Sequence, residues 1–259
     1  MRYTDAFLAT LLPEIANILR TGAPNMGSVP FHLEPGVNGA LEGYGFVFPA
    51  STPASRTTQL PAVSGTAIER LLRVRLVGGL TAGSTAGLFG FASERTMCAS
   101  TGFVARWVTA GALPLAANRG GDLLGEAFAA DGSFEPHRVV GGMGWVKASG
   151  AASTWRWYNG TPGTTVACTG TAPADARLYD HVIAVAAGST TGVAVLIDLT
   201  DESNPVIADQ RTFTVPSPGN AKSAELNRSD IASGTSPGPA VELNVVVFEG
   251  SLGVPSLLA

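Results

Sequence analysis

Residues 179–199 read Y-D-H-V-I-A-V-A-A-G-S-T-T-G-V-A-V-L-I-D-L. Two apolar, β-branched runs, 182–185 and 193–197, flank the segment Gly188-Ser189-Thr190-Thr191-Gly192. The runs are strand length, and the glycines permit the positive φ of a tight reversal. The pattern predicts a β-hairpin in the middle of a sheet and an all-β class for the chain. It carries no chemistry of its own.

The chain after residue 66 repeats that pattern. Residues 69–77 alternate, with Leu72, Val74 and Leu76 on one face and Arg73 and Arg75 on the other. Apolar strands are expected at 87–92 and 101–108. Further strands are expected at 138–147, 153–158, 164–169, 206–215, 221–227 and 241–248. Asn159-Gly160 is a hairpin-turn pair. Residues 113–134 read as loop, with Asn118-Arg119-Gly120-Gly121-Asp122 as the sharpest turn. About twelve short strands at this spacing predict an antiparallel β-sandwich over 67–259.

The N-terminus differs. Residues 4–20 form a helical pattern: Thr4 can cap it, Asp5 suits the first turn, and Gly22 stops it. Phe7, Leu8, Leu11, Leu12, Ile15, Ile18 and Leu19 make one broad apolar face, and Pro13 is expected to kink it. Residues 23–66 are rich in Gly, Pro, Ser and Thr and read as an extended arm with short strands, such as 45–48. A terminal apolar helix on such an arm is expected to be a docking or oligomerisation element over 1–22. The other reading is that it packs on its own sheet.

Charged residues are only 14% of the chain and apolar residues 45%, against about 25% charged in an ordinary soluble domain. A surface so poor in charge fits coverage by other subunits, and equally the Arg-over-Lys usage of a high-GC genome. Lys147 and Lys222 are the only lysines. A net charge of −4 steers the chain toward neither nucleic acid nor an anionic membrane. No stretch approaches the roughly 20 apolar residues of a membrane span. Met1-Arg2-Tyr3 leads into an amphipathic pattern rather than an apolar core, so no signal peptide is expected and synthesis is expected in the cytoplasm. Cys98 and Cys168 fit no metal or redox spacing, and both are expected to be free thiols.

Three stretches together resemble the concanavalin A-like lectin/glucanase jelly roll, in the laminin-G-like form common in structural proteins of tailed phages. They are L-F-G-F-A-S-E-R at 88–95 with S-T-G-F-V-A-R-W at 100–107; H-V-I-A-V-A at 181–186 with V-A-V-L-I-D at 193–198; and N-V-V-V-F-E-G-S-L-G-V-P-S-L-L at 244–258. The third is similar to that family's closing strand and short helix. The turn after Asp198 is longer than the family's usual one. The resemblance spans about residues 67–258 and leaves the helix and arm outside.

The glucanases of this fold use carboxylates in an E-x-D-x-E arrangement, which this chain lacks, and no catalytic residue is assigned. The lectins of the fold use Asp and Asn for calcium. D-L-T-D-E-S-N at 198–204 offers oxygen ligands without an EF-hand's spacing, and reads as a solvated turn. No metal and no cofactor are expected. Trp155, Arg156, Trp157 and Tyr158 form the one aromatic stretch that could contact a carbohydrate or a subunit. Alternation puts the two tryptophans on one face and Arg156 and Tyr158 on the other. In the second reading the tryptophans are core, and Arg156 and Tyr158 sit at a subunit contact.

The resemblance and the helix-plus-arm N-terminus together imply a non-enzymatic virion protein. It would be a homo-oligomeric capsid decoration, head spike or tail-fibre-like subunit, attached to capsid or tail by its N-terminal region. The alternative is a carbohydrate-binding lectin or adhesin module that meets a host-surface glycan. A third reading is a carbohydrate-active enzyme.

Overall fold

The computed structural model describes residues 3–21, 31–35, 41–42, 46–47, 55–59, 73–77, 88–91, 95–100, 102–111, 119–126, 141–147, 154–160, 165–170, 177–220, 222–230 and 240–252. Two helices come first, α1 (Asp5–Leu8) and α2 (Pro13–Thr21). The strands follow as β1 (Phe31–Pro35), β2 (Leu41–Glu42), β3 (Phe46–Val47), β4 (Ser55–Gln59), β5 (Arg73–Val77), β6 (Leu88–Phe91), β7 (Arg95–Thr96), β8 (Phe103–Gly111) and β9 (Arg119–Gly125). The remainder are β10 (Met143–Lys147), β11 (Arg156–Asn159), β12 (Thr165–Ala167), β13 (Arg177–Val185), β14 (Thr191–Asp198), β15 (Val206–Thr214), β16 (Ser223–Asp230) and β17 (Ala240–Leu252).

Among the described residues these strands form two antiparallel sheets. The larger, of ten strands, runs β15-β14-β13-β8-β17-β1-β2, with β5 and β7 also on β17 and β4 on β5. The smaller, of seven, runs β12-β11-β10-β9-β16-β6-β3. The hairpin expected from residues 179–199 is β13–β14, in register from Tyr179↔Asp198 to Val185↔Gly192. Gly188 turns it at φ +74°. Strands β1 to β4 lie within the expected arm, and each pairs into one of the two sheets.

Alternation explains the layers. From β13, Tyr179, His181, Ile183 and Val185 point inward. They meet Trp107 of β8, Leu196 of β14 and Phe213 of β15 from their own sheet, and Trp145 and Trp157 from the other, in one buried core. The other face of the same strands is also apolar: Val104, Val108, Val182, Val195 and Ile197 are buried there. A sheet with two apolar faces needs a second cover, and the N-terminal helices supply it. Leu8, Leu11, Ile15 and Ile18 are buried on that face, with Phe7, Leu12 and Leu19 packed at its border.

Two expectations therefore need correction. The apolar helix face is not spare for docking elsewhere: it lies on this chain's own sheet, because the outer face of β8, β13 and β14 is itself apolar. And the helix is broken rather than kinked. Thr4 does cap it, its Oγ1 accepting from the Phe7 N–H at 3.2 Å. Pro13, however, has no N–H, and its ring would clash with the carbonyl one turn back. So α1 stops at Leu8, and Pro13 takes the first position of α2, where a missing donor costs nothing. The expected stop at Gly22 lies outside the described residues, as does the expected short helix near 253–258.

The turn expected at 118–122 is a third correction. Residues 119–125 are the strand β9, paired on both sides with β10 and β16. Gly120 and Gly121 read as turn-formers locally, but flanking strands satisfy their backbone groups instead.

The open side of the sandwich is stitched by side chains. Asp209 is buried, and it accepts from the Trp145 indole N–H at 2.9 Å, from the Thr169 backbone N–H at 3.0 Å and from Arg211 Nε at 2.8 Å. Arg211 also lies over the Trp157 ring and donates to the Ala167 carbonyl. Along β15 the Gln210 N–H donates to Thr169 Oγ1 and the Ala208 carbonyl accepts from the Gly170 N–H, so residues 169–170 cover part of that strand's outer edge. A Cβ on Gly170 would come within 2.6 Å of the Ile207 carbonyl oxygen, so the two backbones meet there.

Candidate functional site

The aromatic stretch of β11 is not a surface platform. Trp155 and Trp157 are 2% exposed and belong to the core between the sheets. Tyr158 faces the other way and is fully buried with Leu123 and Val146. Arg156 is spent on Thr165, with Nε to Oγ1 at 2.7 Å and Nη2 to the carbonyl at 3.0 Å. Alternation sorted these four residues onto the correct opposite faces, yet no ring among them is open for stacking on a sugar. The contact reading of Trp155, Arg156, Trp157 and Tyr158 gives way to the core reading.

The turn at 198–204 also spends its carboxylates locally. Asp198 accepts from the Thr200 N–H, and Asp201 from both the N–H and the hydroxyl of Ser203. Those bonds hold the fully exposed Asp201 carboxyl below its ordinary range. Among the described residues no three His, Cys, Asp or Glu side chains form a group that could hold a metal ion. Neither Cys98 nor Cys168 is in a disulfide.

A polar cluster stands instead at one end of the sandwich. Antiparallel pairing brings to that end the exits of β9, β11, β13 and β15 and the entries of β8, β10, β14 and β16. Glu126 follows β9 directly. Lys222 precedes β16, and its Nζ donates to Glu126 Oε1 at 2.7 Å and to the Ser217 carbonyl at 3.1 Å. Asn220 Nδ2 donates to Glu126 Oε2 at 2.8 Å. The Lys222 side chain is fully buried, while that of Glu126 is 16% exposed.

The backbone around this cluster is shaped for it. Gly141, just before β10, has φ +55°, and a Cβ there would lie 1.9 Å from Glu126 Oε1. Ser217 has φ +43°, the single non-glycine residue with positive φ among the described residues, and its carbonyl faces Lys222. The Lys222 backbone N–H donates to the Met97 carbonyl at 2.7 Å, which ties in the segment before β8. Next to it, Asn159 Nδ2 holds the Thr214 carbonyl at 3.0 Å.

Burial would raise the Glu126 carboxyl. The bonds from Lys222, Asn220 and Ser217, with the Lys222 charge, outweigh it and hold the group below the usual carboxylate range. The result is a fixed, ionised acceptor at the base of a loop cluster, facing partly into solvent.

None of these residues was legible as a site. Glu126 and Lys222 are 96 residues apart, and neither has a motif around it. The available signal was compositional: Lys222 is one of only two lysines, and it follows the turn-forming P-S-P-G-N at 216–220.

No protein-family model matches the chain, and no curated protein matches it. Solved structures do. Lectin UEA-II complexed with galactose is 12% identical and superposes with a TM-score of 0.53, over 86% of this chain and 99% of that one. Lectin II from Ulex europaeus (12% identity, 86% and 99% covered) has a TM-score of 0.49. Alginate lyase A1-II', a member of polysaccharide lyase family-7 (12% identity, 87% and 96% covered), has a TM-score of 0.40. The first of these shows the fold: two antiparallel sheets in the lectin-type jelly roll. The phage setting expected from the sequence resemblance gains no support from these matches.

Proposed function

We propose that the chain is a carbohydrate-binding module of the lectin type, with the ligand at the loop end around Glu126 and Asn220. The observation that carries it is the partly open Glu126 carboxylate, held ionised at the loop end of a sandwich that superposes on a lectin complexed with galactose. A sugar presents hydroxyl donors, and a carboxylate oxygen can accept more than one hydrogen bond. Asn220 supplies a carbonyl acceptor beside it.

Binding is favoured over cleavage. Glycoside hydrolysis in most families needs a second carboxyl group roughly 5–9.5 Å from the first. Among the described residues, the charged group facing Glu126 is the Lys222 ammonium. The virion reading drew on the N-terminal helix as an attachment element, and that helix covers its own sheet.

The test is a glycan array probed with the labelled full-length chain, followed by calorimetry on the hits. Neutral glycans should bind, and Glu126→Gln should weaken them by about tenfold or more, as expected when a charged acceptor is lost. A flat array overturns the reading.

A further inference from the structure

This inference rests on the lectin reading and concerns what holds its site. We propose that Lys222 is the positioning residue of the loop-end site: its buried ammonium aims the Glu126 carboxylate and the Ser217 and Asn220 loop toward the ligand.

The geometry argues against a purely stabilising role. A buried ion pair is a poor source of stability, because well-packed apolar residues of the same volume do as well or better. Lys222 is nonetheless completely buried, and its ammonium is set between a carboxylate oxygen and a backbone carbonyl. Its partners come from separate stretches of chain: Glu126 after β9, and Ser217 and Asn220 between β15 and β16, with Met97 reached through the backbone N–H. Gly141 leaves room for the pair, since a Cβ there would come 3.0 Å from Nζ as well as striking the carboxylate. Ser217 accepts an unfavourable left-handed φ where its carbonyl meets Lys222. Strain of this sort persists where surrounding contacts over-determine it, and it collects at binding sites.

The arrangement leaves Glu126 oriented and available. Lys222 occupies Oε1, Asn220 occupies Oε2 and Ser217 donates to the carboxylate as well, which leaves about one of its roughly four acceptor sites for a ligand. Among the described residues, the groups facing this carboxylate are Lys222, Asn220 and Ser217, with Gly141 against it. Lys222 alone of these is charged. Remove that charge and the carboxyl, still desolvated, takes up a proton at higher pH and ceases to be a pure acceptor.

The experiment measures binding of galactose, lactose and mannose to the full chain by calorimetry from pH 8 to pH 4. It compares the wild type with Lys222→Arg, Lys222→Met and the double variant Lys222→Met/Glu126→Gln, with melting curves on each. The wild type should hold its affinity into mild acid. Lys222→Met should bind about tenfold more weakly at pH 7, with its acid limb moved up by about one pH unit or more. Lys222→Arg keeps the charge and should keep the limb. If Lys222→Met does not fold, Lys222→Gln, which keeps a donor and loses the charge, takes its place and should show the same tenfold loss and raised acid limb with Glu126 intact; the double variant serves as the control for loss of the carboxylate itself. Wild-type affinity in the double variant, or an unmoved limb in Lys222→Met or in the Lys222→Gln that replaces it, overturns the positioning role. A wild type that binds none of the three sugars, with a flat array, overturns the lectin reading and this inference together.

Discussion

Tyr3 donates its phenolic proton to Asp180 Oδ2 at 2.6 Å, across 177 positions of sequence. Asp180 is fully buried and is also gripped by Arg106, with Nε to Oδ1 at 3.1 Å and Nη2 to Oδ2 at 2.7 Å. Burial, then the Asp180 charge, push the Tyr3 hydroxyl above its ordinary range, so it remains a donor. Leu12 adds a second tie, its backbone N–H donating to Gln210 Oε1 at 2.8 Å.

Losing that lock has a defined cost. Tyr3→Phe removes a hydrogen bond to a charged group and is expected to lower stability by about 1.5–3 kcal/mol. Deleting residues 1–21 also uncovers Val104, Val182, Val195 and Ile197, and should leave a chain that melts far lower or aggregates. Urea denaturation and thermal melting check both, and an unchanged melting temperature in the truncated chain would refute the helix's place on the sheet.

His181 should make the fold acid-sensitive. It is fully buried, stacked on Trp107 at 5.0 Å, edge-on to Trp145, and 2.9 Å from the Thr109 hydroxyl. Burial drives its pKa down to about 3. The folded value lies below the unfolded one, near 6.5. Between them the unfolded chain binds more protons, so this contribution is complete above about pH 6.5 and drains away toward pH 3. The slope approaches about 1.4 kcal/mol per pH unit. Denaturation curves from pH 7 to pH 4 should show it, and His181→Phe should flatten it. A slope the same in both proteins would count against the assignment.

The central hairpin should be intolerant of truncation. Ile183 and Leu196 are fully buried in the core between the sheets. Ile183→Ala and Leu196→Ala are each expected to cost about 2–5 kcal/mol. Losses well under about 1 kcal/mol at both positions would mean the core lies elsewhere.

Cys168 should be a poor nucleophile despite partial exposure. Burial, then the Asp209 charge, push its thiol up to about 12, and its Sγ donates to the Trp155 carbonyl at 3.1 Å. At pH 8 an aromatic disulfide reagent should label the native chain on the order of a hundredfold more slowly than a free thiol. In denaturant both Cys98 and Cys168 should titrate. Rapid native labelling at Cys168 would contradict this environment.

Local chemistry made much of the fold legible in the sequence. The β13–β14 hairpin, the Thr4 cap and the opposite facing of Trp157 and Tyr158 each depend on residues a few positions apart, with a period of two or a single capping oxygen. Where a local signal met a competing partner, it failed. Gly120-Gly121 looks like a turn but lies between two strands that pair with it. Pro13 ended one helix and began another. Alternation says which side chains share a face but not what covers that face, so the core reading of Trp155 and Trp157 stood beside a contact reading until the facing sheet decided for core.

What the sequence determined by itself is the class of structure: strands, their hairpins and the amphipathic N-terminal segment, because these follow from spacing along the chain. The tertiary structure alone decided that both faces of β8, β13 and β14 are buried, that the helices belong to this chain's own sheet, and that Glu126 meets Lys222. Those outcomes come from pairing between distant segments, and a charge acquires its partner, its burial and its ionisation only once the strands that carry it are brought to the same end of the sandwich.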